Sequence, residues 1–234
     1  MTVSARQPHP GLVLGALILV QVLFGLNYVI SKVVVDAFPP LLWASFRIII
    51  AATILVGIAY VAKRPFPKGG WKGFYGPLII FALLGTVINQ SCFLVGLSYT
   101  TSTNSAILNT LIPVFTLLVV TFRGQEPATP KRILGFMSAL AGVLVLRRVE
   151  NFSLSDETLI GDLLTMVNCL SYAFFLSYGK SFLEKHDRIW ATAWLFIYGS
   201  FGLTLIAIPD YMEFQLPEMS TTLWACAAFA IIGG

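Results

Sequence analysis

Charged side chains are scarce in this sequence. Asp, Glu, Lys and Arg together make up 11% of the 234 residues, against roughly 25% in soluble globular proteins. Hydrophobic residues supply 57%, and the mean hydropathy is +0.82. A water-soluble fold cannot cover its surface with so few charges, so we exclude a disordered chain, a nucleic-acid-binding module and an ordinary cytosolic enzyme. The composition predicts an all-α membrane protein, a polytopic helix bundle in the lipid bilayer.

Cysteine and histidine are also scarce. Cys92, Cys169 and Cys226 lie inside apolar runs, and the two histidines are His9 near the start and His186 in a polar segment. The odd number of cysteines and their spacing argue against a disulfide framework and against a zinc site. Phosphate-binding, metalloprotease and nucleophile-elbow motifs are absent from the sequence. We therefore expect no enzyme activity, no catalytic residue, no metal and no cofactor.

Long apolar runs are abundant. A bilayer core about 30 Å thick needs ~20 helical residues, and the sequence contains seven complete candidates and an eighth that stops part-way. The first is too long for a typical signal-peptide core, so we expect it to be retained. The fifth is the weakest, because only residues 133–146 are free of charge. The candidates are 11–31, 41–62, 76–97, 103–122, 132–149, 159–179, 190–208 and 222–234.

The charges between these runs predict the orientation of the chain. With the N-terminus inside, eleven of the 15 Lys and Arg residues fall on the inner side. The outer side receives Lys32, Arg47, Arg147 and Arg148. By the positive-inside rule we expect a cytoplasmic N-terminus in an inner or plasma membrane.

A weak internal repeat runs through the chain. The segment FALLG at 81–85 resembles FAIIG at 229–233, an offset of 148 residues. One such period holds five helices, an odd number, so the second unit would enter the membrane inverted relative to the first. We expect a first five-helix unit over 1–149 and a second, incomplete unit over 150–234, which would end near residue 298 if complete.

Polar side chains inside apolar helices are the default functional candidates, because lipid does not solvate them. In the first two helices the candidates for a solute cavity are Asn27 and Tyr28. Lys32 and Arg47 are candidates for an electrostatic or coupling role. A hydrogen-bonded seam between helices is the alternative for the first helix. Arg47 would meet an anionic group of a solute, or else hold carbonyls or Asp36 at the outer rim.

The third and fourth helices carry polar residues near their centres. Asn89, Gln90 and Asn109 are further cavity candidates. Pro113 lacks a donor for the carbonyl of Asn109, which predicts a kink in the fourth helix. The kink would expose carbonyls to a solute or an ion, or would serve packing alone.

The sixth helix repeats this pattern. Asn168 and Tyr172 are cavity candidates, and Asp162 is a candidate for carrying a proton. Because Asp162 lies near the outer interface, a solvated acid at the start of the helix is the alternative that we favour.

Several motifs resemble the EamA-domain transporters of the drug/metabolite transporter superfamily. The segment FGLNY at 24–28 is similar to the family's W-G-x-N opening, and PPLLWASFR at 39–47 is similar to its entry into the second helix. The best resemblance is GLSYTTS at 96–102, followed by Pro113 and by GQE at 124–126. Phe24 stands where the family usually has Trp.

The resemblance implies ten helices in two inverted five-helix units around a central cavity. It also implies export or exchange of small metabolites, amino-acid-like solutes or drugs by alternating access. The partners would be a small-molecule substrate and the lipid bilayer, not nucleic acid, and a homodimer is left open. The alternative is a non-transporting membrane protein or incomplete fragment that acts as an assembly partner.

Overall fold

The computed structural model describes residues 10–127, 129–146, 157–217 and 220–232, and these ranges contain helices and no β-strand. Two of the helices are composite, since α3 contains π-helical turns and α4 is interrupted near its middle. The helices are α1 (Pro10–Val35), α2 (Pro40–Val61), α3 (Trp71–Tyr99), α4 (Ser102–Phe122), α5 (Pro130–Leu146), α6 (Glu157–Lys185), α7 (Arg188–Ile206), α8 (Ile208–Glu213) and α9 (Thr221–Ile232).

Six of these helices are long and apolar enough to cross a membrane, namely α1 to α4, α6 and α7. The polytopic helical class predicted from composition is therefore confirmed. The fifth predicted segment is helical over the 17 residues of α5. Arg147 and Arg148, which we predicted on the outer side, lie outside the described residues.

The ends of the helices follow familiar chemistry. Pro40 occupies the first turn of α2, where its missing N–H costs nothing. The Oγ1 of Thr101 accepts from the N–H of Asn104 at the start of α4. Asp187 does the same for α7, because its Oδ1 accepts from two backbone N–H groups at 3.1 Å.

Helices α3 and α6 run further than their apolar segments predicted. α3 begins at Trp71 and α6 ends at Lys185. The predicted spans, 76–97 and 159–179, stop short of the charged residues Lys72 and Lys180. A helix does not stop at the membrane surface, and long Lys side chains reach water from its last turns.

The interruption of α4 falls at Thr110 and Leu111. Their N–H groups donate to the carbonyls of Ile107 and Leu108, three residues back, at 3.0 Å each. The tighter turns precede Pro113, which cannot donate to the carbonyl of Asn109. Asn109 thus ends the first half of α4, and its side chain lies at the break.

Helix α3 lies at the centre of the described bundle and packs against α2, α6 and α7. Its buried apolar residues join two clusters. One includes Phe93, Leu94 and Leu97 with residues of α1, α2 and α9. The other includes Phe74 and Leu78 with residues of α7. These contacts bury one face of α3 in its first and last thirds.

Helices α1 and α5 lie at the periphery. Most of the first half of α1, up to Leu26, is exposed, and only its later part is buried against α4, α9 and α3. In α5 the large apolar side chains of Ile133, Leu134 and Met137 are more than half exposed. Within the described residues α5 hardly contacts another helix. Such faces suit the hydrocarbon of a bilayer.

Candidate functional site

Four amide side chains form one hydrogen-bonded chain across three helices, which we call the amide cluster: Asn89, Gln90, Asn109 and Asn168. In α3, Gln90 Nε2 donates to Asn89 Oδ1 at 3.2 Å, and Asn89 Nδ2 donates to Asn168 Oδ1 of α6. Asn168 Nδ2 then donates to Asn109 Oδ1 of α4 at 2.9 Å. Asn109 Nδ2 closes the chain on the carbonyl of Ser105 at 2.8 Å.

The amide cluster lies deep in the bundle. Asn89 precedes the end of α3 by about 15 Å of helix, and Asn168 follows the start of α6 by about 16 Å. These two ends meet, because Thr100 just after α3 donates to Asp162 near the start of α6. In a bilayer core about 30 Å thick, the cluster therefore falls near mid-depth.

The amide cluster retains unused polar capacity. Gln90 Oε1 is buried and accepts no hydrogen bond from the described residues, and neither does the hydroxyl of Ser105. Buried polar atoms normally have a partner. A free amide oxygen beside a satisfied chain of amides is a ready acceptor for a solute that carries an N–H or O–H group.

Close helix contact supports the amide cluster from one side. Gly96 of α3 and Gly161 of α6 face each other, and a Cβ on Gly161 would lie 2.7 Å from the carbonyl oxygen of Gly96. The two backbones therefore touch about two turns from Asn89 and Asn168. Small residues permit such approach inside membranes.

Asp162 is buried, which corrects the solvated position that we favoured from the sequence. The exposed fraction of this residue is 5%, and its Oδ1 accepts from Thr100 Oγ1 at 2.7 Å. The acid follows the first turn of α6, but the crossing with α3 covers it. Asp162 therefore ties the end of α3 to α6, two turns away from the amide cluster along the helix.

Lys32 lies outside the amide cluster and binds the end of α3. Its Nζ donates to the carbonyls of Leu97 and Ser98 at 3.0 and 3.1 Å, and it forms an ion pair with Asp36 at 3.1 Å. Free carbonyls at the end of a helix attract a cation in this way. These hydrogen bonds of Lys32 therefore hold the end of α1 against the end of α3.

The other cavity candidates are separate from the amide cluster. Asn27 is buried and accepts from Ser31 within α1 at 3.1 Å. Tyr28 packs edge-on against Phe93, with ring centroids 5.6 Å apart. Tyr172 packs on Phe175 of the same helix. Each of these side chains has an intramolecular contact, and none is hydrogen-bonded to the four amides.

Arg47 is buried in α2 with an exposed fraction of 7%. Its Nη1 has no hydrogen-bond partner among the described residues, and no ion pair involves it there. The sequence-based alternative of an Arg47–Asp36 pair is wrong, because Asp36 pairs with Lys32. Arg47 also lies deeper than the outer rim, beside the core residues Ala44 and Ile48.

The described residues offer neither an enclosed pocket on α1 nor a metal site. A shallow recess of about 370 Å³ follows α1 beside Leu17, Ile18, Gln21 and Val22. Residues of one exposed helix do not enclose a ligand. No group of three or more His, Cys, Asp or Glu side chains within the described ranges is arranged to hold a metal ion.

A comparison with family models covers the first part of the chain. The model of the EamA-like transporter family matches residues 11–148, more than half of the chain. The chain belongs to the EamA-like transporter family. The resemblance inferred from the motifs at 24–28, 39–47 and 96–126 is thereby confirmed.

Relatives of this EamA-family chain occur in bacteria, archaea and plants. It is 22% identical over 211 residues to the uncharacterized transporter YyaM of Bacillus subtilis, covering 88% of this chain and 68% of that protein. It is 25% identical over 193 residues to an uncharacterized transporter of Archaeoglobus fulgidus, covering 82% and 65%. A WAT1-related protein of Arabidopsis thaliana is 20% identical over 210 residues, covering 79% and 56%. The chain thus spans about two thirds or less of these relatives' length.

Sequence reasoning missed two contacts of this EamA-family chain. The approach of Gly96 and Gly161 had no local signal, because nothing in the sequence around either glycine indicates the other. Arg123 after α4 donates to the carbonyl of Ser177 at 2.5 Å, and its guanidinium lies 3.8 Å from the ring centre of Tyr178. We read Arg123 only as a topology charge, since nothing in the local sequence indicates a partner in α6.

Proposed function

We propose that this chain forms the solute pathway of a small-molecule carrier that works by alternating access. The observation that carries the proposal is the amide cluster, which joins Asn89 and Asn109 to Asn168. The first two belong to the predicted first unit, 1–149, and the third belongs to the second, 150–234. Carriers with inverted units place their substrate sites at such an interface near mid-membrane.

The chemistry of the amide cluster suits small polar metabolites, including amino-acid-like solutes and drugs. Amides both donate and accept hydrogen bonds, so a neutral or zwitterionic solute can exchange places with an amide partner. Because the inter-amide bonds connect α3, α4 and α6, their exchange for bonds to a solute would loosen one unit from the other. We propose export or exchange as the direction of use.

The charges between helices support a cytoplasmic N-terminus and a location in the inner or plasma membrane. The inner side would hold the Lys63–Lys72 segment, Arg123 and the turn after α6. A fluorescent protein that folds only in the cytoplasm, fused after Arg123, should fluoresce. Absence of fluorescence from a stably inserted fusion would indicate the opposite orientation, with the N-terminus outside.

Transport is tested in proteoliposomes with the full-length protein. We expect counterflow of at least one radiolabelled class among amino acids, nucleosides and simple amines. Asn89→Leu and Asn109→Leu should each lower kcat/KM at least about tenfold, since each removes a hydrogen bond near the solute. Asn104→Leu is the matched control, because Asn104 is an amide of α4 that contacts Thr100 and not the cluster.

Normal kinetics in both folded Leu variants would remove the amide cluster from the pathway. Absence of flux for every solute class, from protein shown to be folded, would favour the alternative role as an assembly partner. In that case the same variants should change the oligomeric state or stability and leave no transport phenotype.

A further inference from the structure

Arg47 is the one buried cation in the described helices, and the described residues do not supply its partner. Lys32 has two carbonyls and Asp36, and Arg123 has Ser177 and Tyr178. Arg47 is at least as buried, yet it lacks both a hydrogen bond and an ion pair to the described residues. A buried guanidinium without a partner is strongly unfavourable, so a partner from outside the chain would relieve the cost.

A second unpartnered donor lies on the same face of α2. Trp43 precedes Arg47 by four residues, which is one helical turn. Its exposed fraction is 4%, and its Nε1 has no acceptor among the described residues. An indole N–H and a guanidinium can only donate hydrogen bonds, so these two neighbouring groups cannot satisfy each other.

An unpartnered acceptor lies at similar depth on the neighbouring helix. α2 packs against the last third of α3. The start of α2 and the end of α3 lie on the same side of the bundle, because a short loop joins α1 to α2 and Lys32, in the last turn of α1, binds Leu97 and Ser98. Arg47 follows the start of α2 by about 10 Å, and Gln90 precedes the end of α3 by about 14 Å. Gln90 Oε1 is the buried acceptor.

We propose that Arg47 and Trp43 bind the carboxylate of a small monocarboxylate solute between α2 and α3. The planar guanidinium matches a carboxylate with two parallel hydrogen bonds. One carboxylate neutralises one buried cation, whereas a phosphate would leave excess negative charge. A hydroxyl or amino group of the same solute would donate to Gln90 Oε1. This site rests on the proposed carrier function and names its substrate class.

The first test measures the ligand-free protein. The full-length protein is reconstituted in nanodiscs of neutral phosphatidylcholine and unfolded by heat. Because Arg47 has no partner among the described residues, Arg47→Met should keep or raise the Tm. Arg123→Met is the matched control and should lower the Tm, since Arg123 has partners. A lower Tm for Arg47→Met than for the wild type would show a structural role and overturn the proposal.

The second test measures ligand binding directly and does not depend on transport. The probes are 2-hydroxy-4-methylpentanoate, L-leucine and L-leucinamide, which share an apolar group and differ in the carboxylate. At millimolar concentration the two acids should raise the Tm by about 5 °C and the amide should not. Arg47→Gln should weaken binding of the acids at least about 30-fold, and Arg47→Lys less. The proposal would be overturned if leucinamide raised the Tm of the wild type as much as the two acids do. It would also be overturned if the acids raised the Tm of Arg47→Gln as much as that of the wild type.

Two further arms distinguish other sources of negative charge. Inorganic phosphate should not shift the Tm, and addition of phosphatidylglycerol to the nanodiscs should not stabilise the wild type over Arg47→Met. A shift in either arm that requires Arg47 would assign the residue to phosphate or to a lipid headgroup instead. Transport without carboxylate dependence would leave the carrier function intact and overturn this site alone.

Discussion

Glycines at the centre of the bundle lie in close contact with neighbouring helices, whereas glycines at its periphery face open space. Around α3, a Cβ on Gly161 would meet the carbonyl of Gly96 at 2.7 Å, and a Cβ on Gly202 would meet Val87 at 2.7 Å. In the outer helices, Gly15 of α1 and Gly135 of α5 have nothing within 4 Å of that position. The residue type is the same, but only the central glycines set a distance between helices.

This difference shows how the bundle is held together. Apolar burial alone does not drive helices together in lipid, because the lipid chains are as apolar as Leu. The central helices therefore depend on close backbone approach and on polar contacts such as Thr100–Asp162 and Asn89–Asn168. The outer helices present their apolar side chains to the bilayer. Substitutions should follow this division.

The largest effect should come from Gly161→Ala. The new Cβ would collide with backbone atoms of Gly96 and Thr100, which cannot rotate away, so α3 and α6 must separate. We expect a loss of about 2–4 kcal/mol in unfolding free energy, measured by denaturant titration in detergent micelles. Gly135→Ala is the matched control and should be neutral or stabilising by up to about 1 kcal/mol. Equal losses at the two positions would remove the distinction between centre and periphery.

Asn168→Leu should rank second. The substitution removes the middle of the amide cluster and leaves Asn89 and Asn109 each without one partner. An unsatisfied buried amide costs about 1–3 kcal/mol. The measurement is a double-mutant cycle with Asn89→Leu, in which a coupling of about 1 kcal/mol is expected.

Asn104→Leu serves as the control for Asn168→Leu, since the hydrogen bond of Asn104 to Thr100 is long, at 3.4 Å. Its cost should stay below about 0.5 kcal/mol. Additive effects of Asn89→Leu and Asn168→Leu would mean that the two amides act independently, and would contradict a connected cluster.

The polar residues at the centre could be predicted from the sequence, whereas the glycine contacts could not. Asn89, Gln90, Asn109 and Asn168 are conspicuous because an amide inside an apolar run is costly unless it meets another polar group. The chain has 19 glycines, and most of them lie in helices. Which of them meets another backbone depends on how the helices are rotated, and no local pattern encodes this rotation.

The same limit applies to Asp162 and Arg47. Hydropathy places Asp162 near the start of a helix, where a residue is usually solvated, and Arg47 about two turns into one. The structure buries Asp162 because α3 crosses α6 at that level, and it buries Arg47 because α3, α7 and α9 pack against α2. Burial at a helix end is a property of the neighbouring helices, so the depth of a residue along its own helix does not predict it.

Apart from the controls, Lys32→Met should have a smaller effect than Gly161→Ala and Asn168→Leu, since Lys32 lies where the outer helix α1 meets the central α3. The Lys32 side chain is 27% exposed and Asp36 is 57% exposed, so water screens their pairing. The loss of the bonds to Leu97 and Ser98 should cost about 1 kcal/mol or less in the same titration. Asp36→Asn should cost less still, because Lys32 keeps its two carbonyl acceptors, and added salt should reduce that difference further. If Lys32→Met lost as much unfolding free energy as Asn168→Leu, Lys32 would belong to the central contacts. Helix α1 would then count as a central helix in this region.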